Sequence, residues 1–356
     1  MIYSVVMAKI KTLLLFFSVL ILIGAAHEGS NRFDALMGKG TKHWQHVQQP
    51  QDLELLQRSK FLFERKREAG GIKIPQTVHF IWLGPRSFPR ASVENVRRWI
   101  AEHPHWTFKF WTDRERDPPC KGMETIVIKK YPFPRLGRCY EASENWGEKS
   151  DLLRYEILFH QGGVYADHDM KCLRSFEDFH KTYDFYCGLE PPHPAFVGWN
   201  VTVGNGLIGS KPGHPVLRRV MDLIERRWDE LAQKYPGSDG FSRTQIVMER
   251  TYIAFTHAVM EKIDQPGWND VIMPAAYFFA KKGITPLYSE HFYANTWADF
   301  GGKDLLFERG VQKTLLKLEK KYTRAVFFAL GSLSFNLLLL GFVILFTRKA
   351  RSTCIS

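Results

Sequence analysis

Gly162-Gly163-Val164-Tyr165-Ala166-Asp167-His168-Asp169 constrains this chain more than any other stretch. Two glycines stop a helix, a short apolar run reads as a strand, and two carboxylates stand one residue apart at its exit. Side chains alternate along a strand, so the pattern predicts Asp167 and Asp169 on one side and His168, read as structural, on the other. Two anions that close repel, and a cation between or beside them relieves the repulsion. Oxygen-only ligands favour a hard ion such as Mn²⁺ or Mg²⁺, and such ions bind diphosphates. The stretch therefore points to a held nucleoside diphosphate.

The sequence around it predicts an α/β domain. Thr77 to Leu83 is a buried-type strand closed by Gly84-Pro85. Ala91 to His103 is helical, with Val93, Val96 and Ile100 on its inner stripe. Thr107 to Trp111 is a second strand, ending at Thr112-Asp113. Glu148 to Gln161 is a second helix, stopped by the glycine pair. Alternating strands and helices imply a mostly parallel sheet, whose ligands bind beyond the carboxyl ends of the strands. Trp82, Asp113 and Asp167 fall at such ends. On the second helix Asp151 and Arg154 are three apart and share a face. That face reads either as a surface ion pair or as a polar surface turned toward a sugar.

The chain has 356 residues and 45% hydrophobic residues, enough for a full core. Its formal net charge is +12, but nucleic-acid binding is not expected. Many of the cations lie at the ends: Lys9, Lys11, Lys317, Lys320, Lys321, Arg324, Arg348, Lys349 and Arg351. Cations beside apolar runs reflect membrane topology. Thr12 to Ala26 is such a run, and residues 1–26 fit either a cleaved signal peptide or an uncleaved signal anchor. Residues 27–72 form a stem or a helix packed on the domain, with Leu53, Leu56, Lys60 and Phe63 on one face. The domain itself spans 73–300. Residues 301–324 form an amphipathic linker helix, 325–346 a transmembrane helix of the required length, and 347–356 a short basic tail. An exported N-terminal run would put the domain in the Golgi or ER lumen of a eukaryote, or in the periplasm or envelope of a bacterium.

Of the five cysteines, Cys120, Cys139, Cys172 and Cys187 fit either two disulfides or four free thiols; Cys354 lies in the tail. None has zinc-site spacing. Asn200-Val201-Thr202 is a glycosylation triplet of the kind that arises by chance.

The longer string Ser150-Asp151-x-x-Arg154-Tyr155-x-x-Leu158, followed by Gly162-Gly163-x-Tyr165-x-Asp167-x-Asp169, resembles the family 32 glycosyltransferases, whose sugar-binding region contains a DXD motif. That family includes fungal Golgi mannosyltransferases and inositol-phosphorylceramide mannosyltransferases. Three more segments are similar to it: Ile74 to Trp82, Asn205 to Pro215, and His291 to Trp297. Two segments depart from its pattern. Thr251-Tyr252-Ile253 stands where members often carry Thr-Gly-Pro. Phe292-Tyr293 replaces a common His-Trp, and Thr296 a serine.

The resemblance implies a GT-A fold, Rossmann-like and nucleotide-sugar-binding, and transfer of a hexose with retention at the anomeric carbon. It implies Mn²⁺ or Mg²⁺ on Asp169, with Asp167 and His291 contributing. Asp167 would also bind the ribose. It puts Trp82 at or beside the nucleotide base, where the other reading is plain core packing, Asp151, Arg154 and Asn205 at the sugar, and Thr296 and Trp297 at the diphosphate. No general base is assigned, and Glu190 is only a candidate. The expected donor is a UDP- or GDP-linked sugar and the expected acceptor a lipid or glycan at a membrane. Two other readings stand beside it: a toxin-like transferase that modifies proteins, and a catalytically inactive, membrane-anchored glycan-binding protein.

Overall fold

The structure, a computed structural model, describes residues 32–194, 198–237 and 240–294, with only the backbone of 240 and 241. The segments 1–26, 301–324, 325–346 and 347–356 lie outside the described residues, as do Thr296, Trp297 and Cys354. No helix among the described residues is long and apolar enough to cross a membrane.

After a short helical stretch at 32–36 and a 3-10 turn (Trp44–His46) comes helix α1 (Pro50–Glu64). It is followed by β1 (Thr77–Trp82), α2 (Arg90–Glu102), β2 (Thr107–Thr112) and β3 (Glu124–Val127). Next are α3 (Gly137–Ala142), α4 (Trp146–Gln161), β4 (Gly163–Ala166), β5 (Met170–Cys172) and α5 (Glu177–Thr182). Strands β6 (Phe185–Leu189) and β7 (Val203–Ser210) lead to α6 (Pro215–Lys234). Helix α7 (Gly240–Val247), a π-helical turn (Met248–Ile253) and α8 (Ala254–Lys262) run on end to end. Strand β8 (Asp270–Met273), the short α9 (Ala275–Phe278) and β9 (Ser289–His291) complete the described part.

Seven strands form one sheet in the order β3-β2-β1-β4-β7-β6-β8. All pairs are parallel except the two that β7 makes with β4 and β6. The sheet is thus mixed with parallel pairing dominant, as the strand–helix alternation predicts for its first half. The single reversed strand has a functional consequence. The carboxyl ends of β1, β2, β4 and β6 share one edge with the amino end of β7. That edge collects Trp82, Asp113, Asp167, Glu190 and Asn205.

Alternate side chains of β1 enter two apolar layers on opposite faces of the sheet. Val78, Phe80 and Trp82 join Trp99, Phe110, Phe176 and Phe278. Ile81 and Leu83 join Leu55, Tyr155, Leu217 and Phe255. The stretch from Arg32 to Glu64 is part of this core through Phe33, Met37, Leu55 and Leu62, all buried. The buried face of α1 runs through Leu55, Leu56, Ser59 and Leu62, while Leu53 is half exposed. The stripe read from the sequence was therefore rotated: Leu56 is buried and Phe63 packs against the core, but Leu53 and Lys60 lie off the buried face. On α2 the inner face is Ser92, Asn95, Val96 and Trp99, because polar groups there serve the turn after β4.

Cys120, Cys139, Cys172 and Cys187 are free thiols. Asn200 is buried and donates from its side chain to the His193 carbonyl, which makes the glycosylation triplet unusable in the folded chain.

Candidate active site

Helix α4 starts with the Asn145 side chain accepting the Glu148 N–H (2.9 Å). It ends at Gly162, with φ of 65° there and 94° at Gly163. Both angles are left-handed, and a β-carbon on Gly163 would lie 2.6 Å from the Thr77 carbonyl, so only glycine fits. This tight exit sends the chain directly into β4 and fixes where Asp167 emerges.

Strand β4 stops at Ala166, and Asp167 to Asp169 form a turn closed by Met170 N–H to Asp167 C=O (3.0 Å). The two aspartates therefore meet through a turn and not through strand alternation, which is a correction to the sequence reading. Helix α2 holds that turn from below. Ser92 Oγ lies 2.8 Å from His168 Nδ1, Asn95 Nδ2 donates to the His168 carbonyl (3.2 Å), and Trp99 Nε1 donates to the Met170 carbonyl (2.9 Å). His168 is thus structural, as expected.

Past the turn, β5 pairs with β9 and sets Met170 opposite His291. His291 Nε2 comes within 3.4 Å of Asp169 Oδ1. Asp169 Oδ2 accepts the Ala294 N–H at 2.7 Å. Asp167, Asp169 and His291 each offer one ligand atom, all within 4.8 Å of one another. Ligands of one six-coordinate divalent ion fall about 3–4 Å apart, so a slight contraction satisfies one. Two carboxylates and an imidazole suit Mn²⁺ as well as Mg²⁺, since a nitrogen ligand is poorer for magnesium.

Burial alone would raise the Asp169 carboxyl. The hydrogen bond and charge of His291, with His168 and the Ala294 N–H, hold it well below the usual carboxylate range. Burial disfavours charge on His291, but Asp169 first, then Asp167 and Glu190, raise it above the ordinary histidine value.

Beside this set lies a buried cation. Arg154 is 5% exposed, and its guanidinium reaches Asp151 Oδ1 at 2.8 Å and Asp167 Oδ1 at 3.4 Å. It also donates to the Asn205 carbonyl (2.7 Å) and lies over the Tyr165 ring, 4.0 Å from its centroid. The Tyr165 hydroxyl donates to Asp167 Oδ1 at 2.6 Å. Asp167 thus has Oδ1 held by Arg154 and Tyr165, while Oδ2 lies beside Gly206. Burial raises the Asp151 carboxyl above its ordinary value, against the pull of Arg154 and Thr251.

The structure brings Asp151, Arg154, Asp167, Asp169, Asn205 and His291 together. Trp82 is buried, with Phe88 and His168 edge-on to it and its Nε1 donating to the Arg86 carbonyl (2.8 Å). The accessible indole at this edge is Trp146, 40% exposed. Its ring lies against Gly84, where a β-carbon would be 2.8 Å from it. Sequence reasoning missed Trp146, although its place five residues before Asp151, at a helix start, was visible. It also missed the supporting hydroxyls of Tyr165, Tyr155 and Thr251. Glu190 accepts from the Tyr252 hydroxyl (2.9 Å) and Lys281 (3.1 Å). Burial would raise its carboxyl, but Lys281, His193 and His291 bring it down to about 2, which makes it a poor proton acceptor.

Residues 89–186 match the model of the family described as glycosyltransferase sugar-binding region containing DXD motif. The chain carries that glycosyltransferase domain, and the match includes Asp151, Arg154, Asp167 and Asp169. Among curated relatives, "Subversion of eukaryotic traffic protein A" of Legionella pneumophila is 27% identical over 48% of this chain and 27% of its own length. A mannosyl phosphorylinositol ceramide synthase of Saccharomyces cerevisiae is 30% identical over 43% of this chain and 35% of its own. An inositol phosphoceramide mannosyltransferase of Schizosaccharomyces pombe is 23% identical over 55% and 56%. The chain therefore spans between about a quarter and just over half the length of these relatives. Among solved structures, the PaToxG glycosyltransferase matches with a TM-score of 0.41 and 16% identity, over 59% of this chain and 76% of that one.

Proposed function

We propose that the chain is a metal-dependent, retaining glycosyltransferase that moves a hexose from a UDP- or GDP-linked sugar to a lipid or glycan acceptor at a membrane. The observation that carries this reading is the meeting of Asp167, Asp169 and His291 beside the Arg154–Asp151 pair, largely inside the region matched by the family model. The mannosyltransferase relatives make a mannosyl donor the first to try.

A bound divalent ion supplies positive charge to the departing diphosphate. The chain's own residues do the rest. Asp169 and His291 are its proposed ligands, with Asp167 Oδ2 completing the set or reaching the ribose. Arg154 balances the charge of Asp151 and Asp167, so that two carboxylates can face an anionic donor without repelling it. Asp151 accepts from sugar hydroxyls, and Asn205 stands next to it. The accessible Trp146 forms the wall for the base, and Trp82 is packed into the same edge of the sheet. Thr296 and Trp297, outside the described residues, are assigned to the diphosphate. Glu190, held as a carboxylate by Lys281, remains a weak candidate for the base.

The test uses the full chain in detergent with a panel of UDP- and GDP-sugars and Mn²⁺ or Mg²⁺, measuring release of nucleoside diphosphate. One donor is expected to be hydrolysed slowly, and a chelator to stop it. Asp167→Asn and Asp169→Asn are expected to abolish turnover with the fold intact. Full activity in either variant overturns the reading. Protein acceptors are included in the transfer assay to test the toxin-like alternative. Tight glycan binding with no donor turnover would favour the inactive glycan-binding alternative.

A further inference from the structure

Between α7 and α8 the helix widens into the π-helical turn Met248–Ile253. Such turns are rare, and they persist where something other than helix propensity holds them. Here four consecutive side chains are tied to four different places. Glu249 accepts from Arg227 (3.0 Å), Lys234 (2.9 Å) and the Tyr235 hydroxyl (2.6 Å), in the second half of α6 and just beyond its end. Arg250 lies over the Trp228 ring, 3.8 Å from its centroid, and reaches Glu148 on the first turn of α4 at 3.6 Å. The Thr251 hydroxyl lies 2.5 Å from Asp151 Oδ2 and 2.9 Å from the Val247 carbonyl, and the Thr251 carbonyl accepts the Tyr155 hydroxyl at 3.1 Å. The Tyr252 hydroxyl meets Thr202 Oγ1 (2.6 Å) and Glu190 Oε1 (2.9 Å).

A regular helix sends neighbouring side chains round in steps of about 100°, and only one face looks inward. An extra residue in the turn changes that rotation, so that Thr251 and Tyr252 both enter the site edge while Glu249 and Arg250 anchor the turn behind them. All four residues are buried. The ties of Glu249, Thr251 and Tyr252 are hydrogen bonds, which is what a buried polar segment requires.

We propose that this turn is a positioning element for the donor sugar, and that Thr251 is its working residue. Asp151 has one oxygen on Arg154 and the other on Thr251. Without the hydroxyl, the carboxylate keeps Arg154 and the Asn205 side chain but loses its third partner, and its orientation loosens. The Thr251 bond fixes the angle at which Asp151 presents its remaining acceptor directions to a sugar hydroxyl. Thr251 touches no substrate and acts through Asp151. This role rests on the transferase reading above.

The test compares Thr251→Val, of the same shape without the donor, with Thr251→Ser, which restores it. The assay is hydrolysis of whichever of UDP-glucose and GDP-mannose the wild-type chain turns over faster with Mn²⁺. A hydrogen bond to a carboxylate controls about tenfold to a hundredfold, so Thr251→Val is expected to lose that much in kcat/KM and Thr251→Ser to recover most of it. Binding of the bare UDP or GDP is expected to stay within about twofold, because the base and diphosphate contacts do not involve Asp151. In an Asp151→Asn background the valine substitution is expected to add little.

A merely structural role would weaken nucleotide and nucleotide-sugar binding together, and serine would not restore the difference between them. If the valine variant fails to fold, Thr251→Ala must show the same split between donor and nucleoside diphosphate. A wild-type chain inactive with every nucleotide sugar overturns the transferase reading and this role with it. An active wild type matched by Thr251→Val in kcat/KM overturns this role alone.

Discussion

Gly206 on β7 stands so close to Asp167 that a β-carbon on it would lie 2.6 Å from the carboxylate Oδ2. The same residue's carbonyl accepts the Asp167 N–H at 2.8 Å. The reversed strand thus holds the aspartate by its backbone and leaves its side chain room by having none of its own. Gly206→Ala is expected to push Oδ2 aside at little cost to the fold, about 1 kcal/mol or less, because only the end of a short side chain must move. Activity and Mn²⁺-dependent binding of a nucleoside diphosphate are expected to fall by tenfold or more. Gly209→Ala on the same strand is the contrast. A β-carbon there would lie 2.0 Å from the Tyr186 ring, and that variant is expected to fail to fold. Calorimetric titration with UDP or GDP, beside urea unfolding of both variants, checks the pair. A Gly206→Ala chain with wild-type affinity would refute the steric argument.

Arg154 is the only cation drawn toward both Asp151 and Asp167 among the described ion pairs. Removing a buried charge that compensates others costs about 3–5 kcal/mol, because the partners are left unpaired. Arg154→Met is therefore expected to lower unfolding stability by about 3 kcal/mol in the presence of a chelator. Asp151→Asn in that background is expected to give back part of the loss, although Asp151→Asn alone destabilises. Arg154→Lys keeps the charge but not the planar fork that reaches two carboxylates and a carbonyl, and is expected to fall between. Urea unfolding of the single and double variants measures this. Additive losses would mean that the pair does not act as a unit.

Much of this was legible in the sequence because it was local. The glycine pair, the strand after it and the aspartates lie within eight residues, and the strand–helix alternation before them follows simple periodicity. The meeting of His291 with Asp169 spans more than a hundred residues and came from resemblance to a family, not from any pattern in the chain. The pattern misled where one local rule displaced another. Asp167 and Asp169 obey spacing for a strand, yet a turn forms because Ser92, Asn95 and Trp99 bond its backbone and His168. On α2, polar Ser92 and Asn95 face inward for that same reason, so an apolar stripe could not reveal them. The antiparallel entry of β7 and the widened turn at Met248–Ile253 have no signature in spacing at all. Trp82 and Trp146 were equally visible as residues, but only packing tells which indole is sealed and which is open.

That difference between the two indoles gives a prediction. Stacking of a base on an aromatic ring is worth about 1–3 kcal/mol by alanine substitution. Trp146→Ala is expected to weaken UDP or GDP binding by about tenfold or more and leave Mn²⁺-pyrophosphate binding unchanged. Its effect on the unfolding midpoint is expected to be small, since the ring is 40% exposed. Trp82→Ala empties a packed position and is expected to cost about 3–5 kcal/mol of stability. Nucleotide titrations and urea unfolding of the two variants separate the roles. Equal nucleotide affinity in Trp146→Ala and wild type would return the base to Trp82.

Two buried histidines outside the proposed metal-ligand set make the fold sensitive to acid. His79 lies under the Gly162 carbonyl (2.9 Å), and its Nδ1 accepts the Trp111 Nε1–H (3.2 Å). His180 lies 2.9 Å from the Ile74 carbonyl and 3.2 Å from the Tyr186 hydroxyl. Burial pushes both down to about 3, against the small opposing pull of those carbonyls. In the unfolded chain both take up protons near pH 6.5. The unfolded state therefore binds more protons below that value. The stability of neutral burial is whole above about pH 6.5 and is lost as pH falls toward about 3. At pH 5 this amounts to about 2 kcal/mol for each histidine. Urea unfolding with a chelator at pH 7, 6 and 5 is expected to show a steep decline. His79→Gln keeps a donor for Gly162 and removes one titrating group, so its decline is expected to be shallower by about 2 kcal/mol between pH 7 and 5, whatever its stability at pH 7. A profile parallel to wild type would mean that His79 is already accessible to protons in the folded chain.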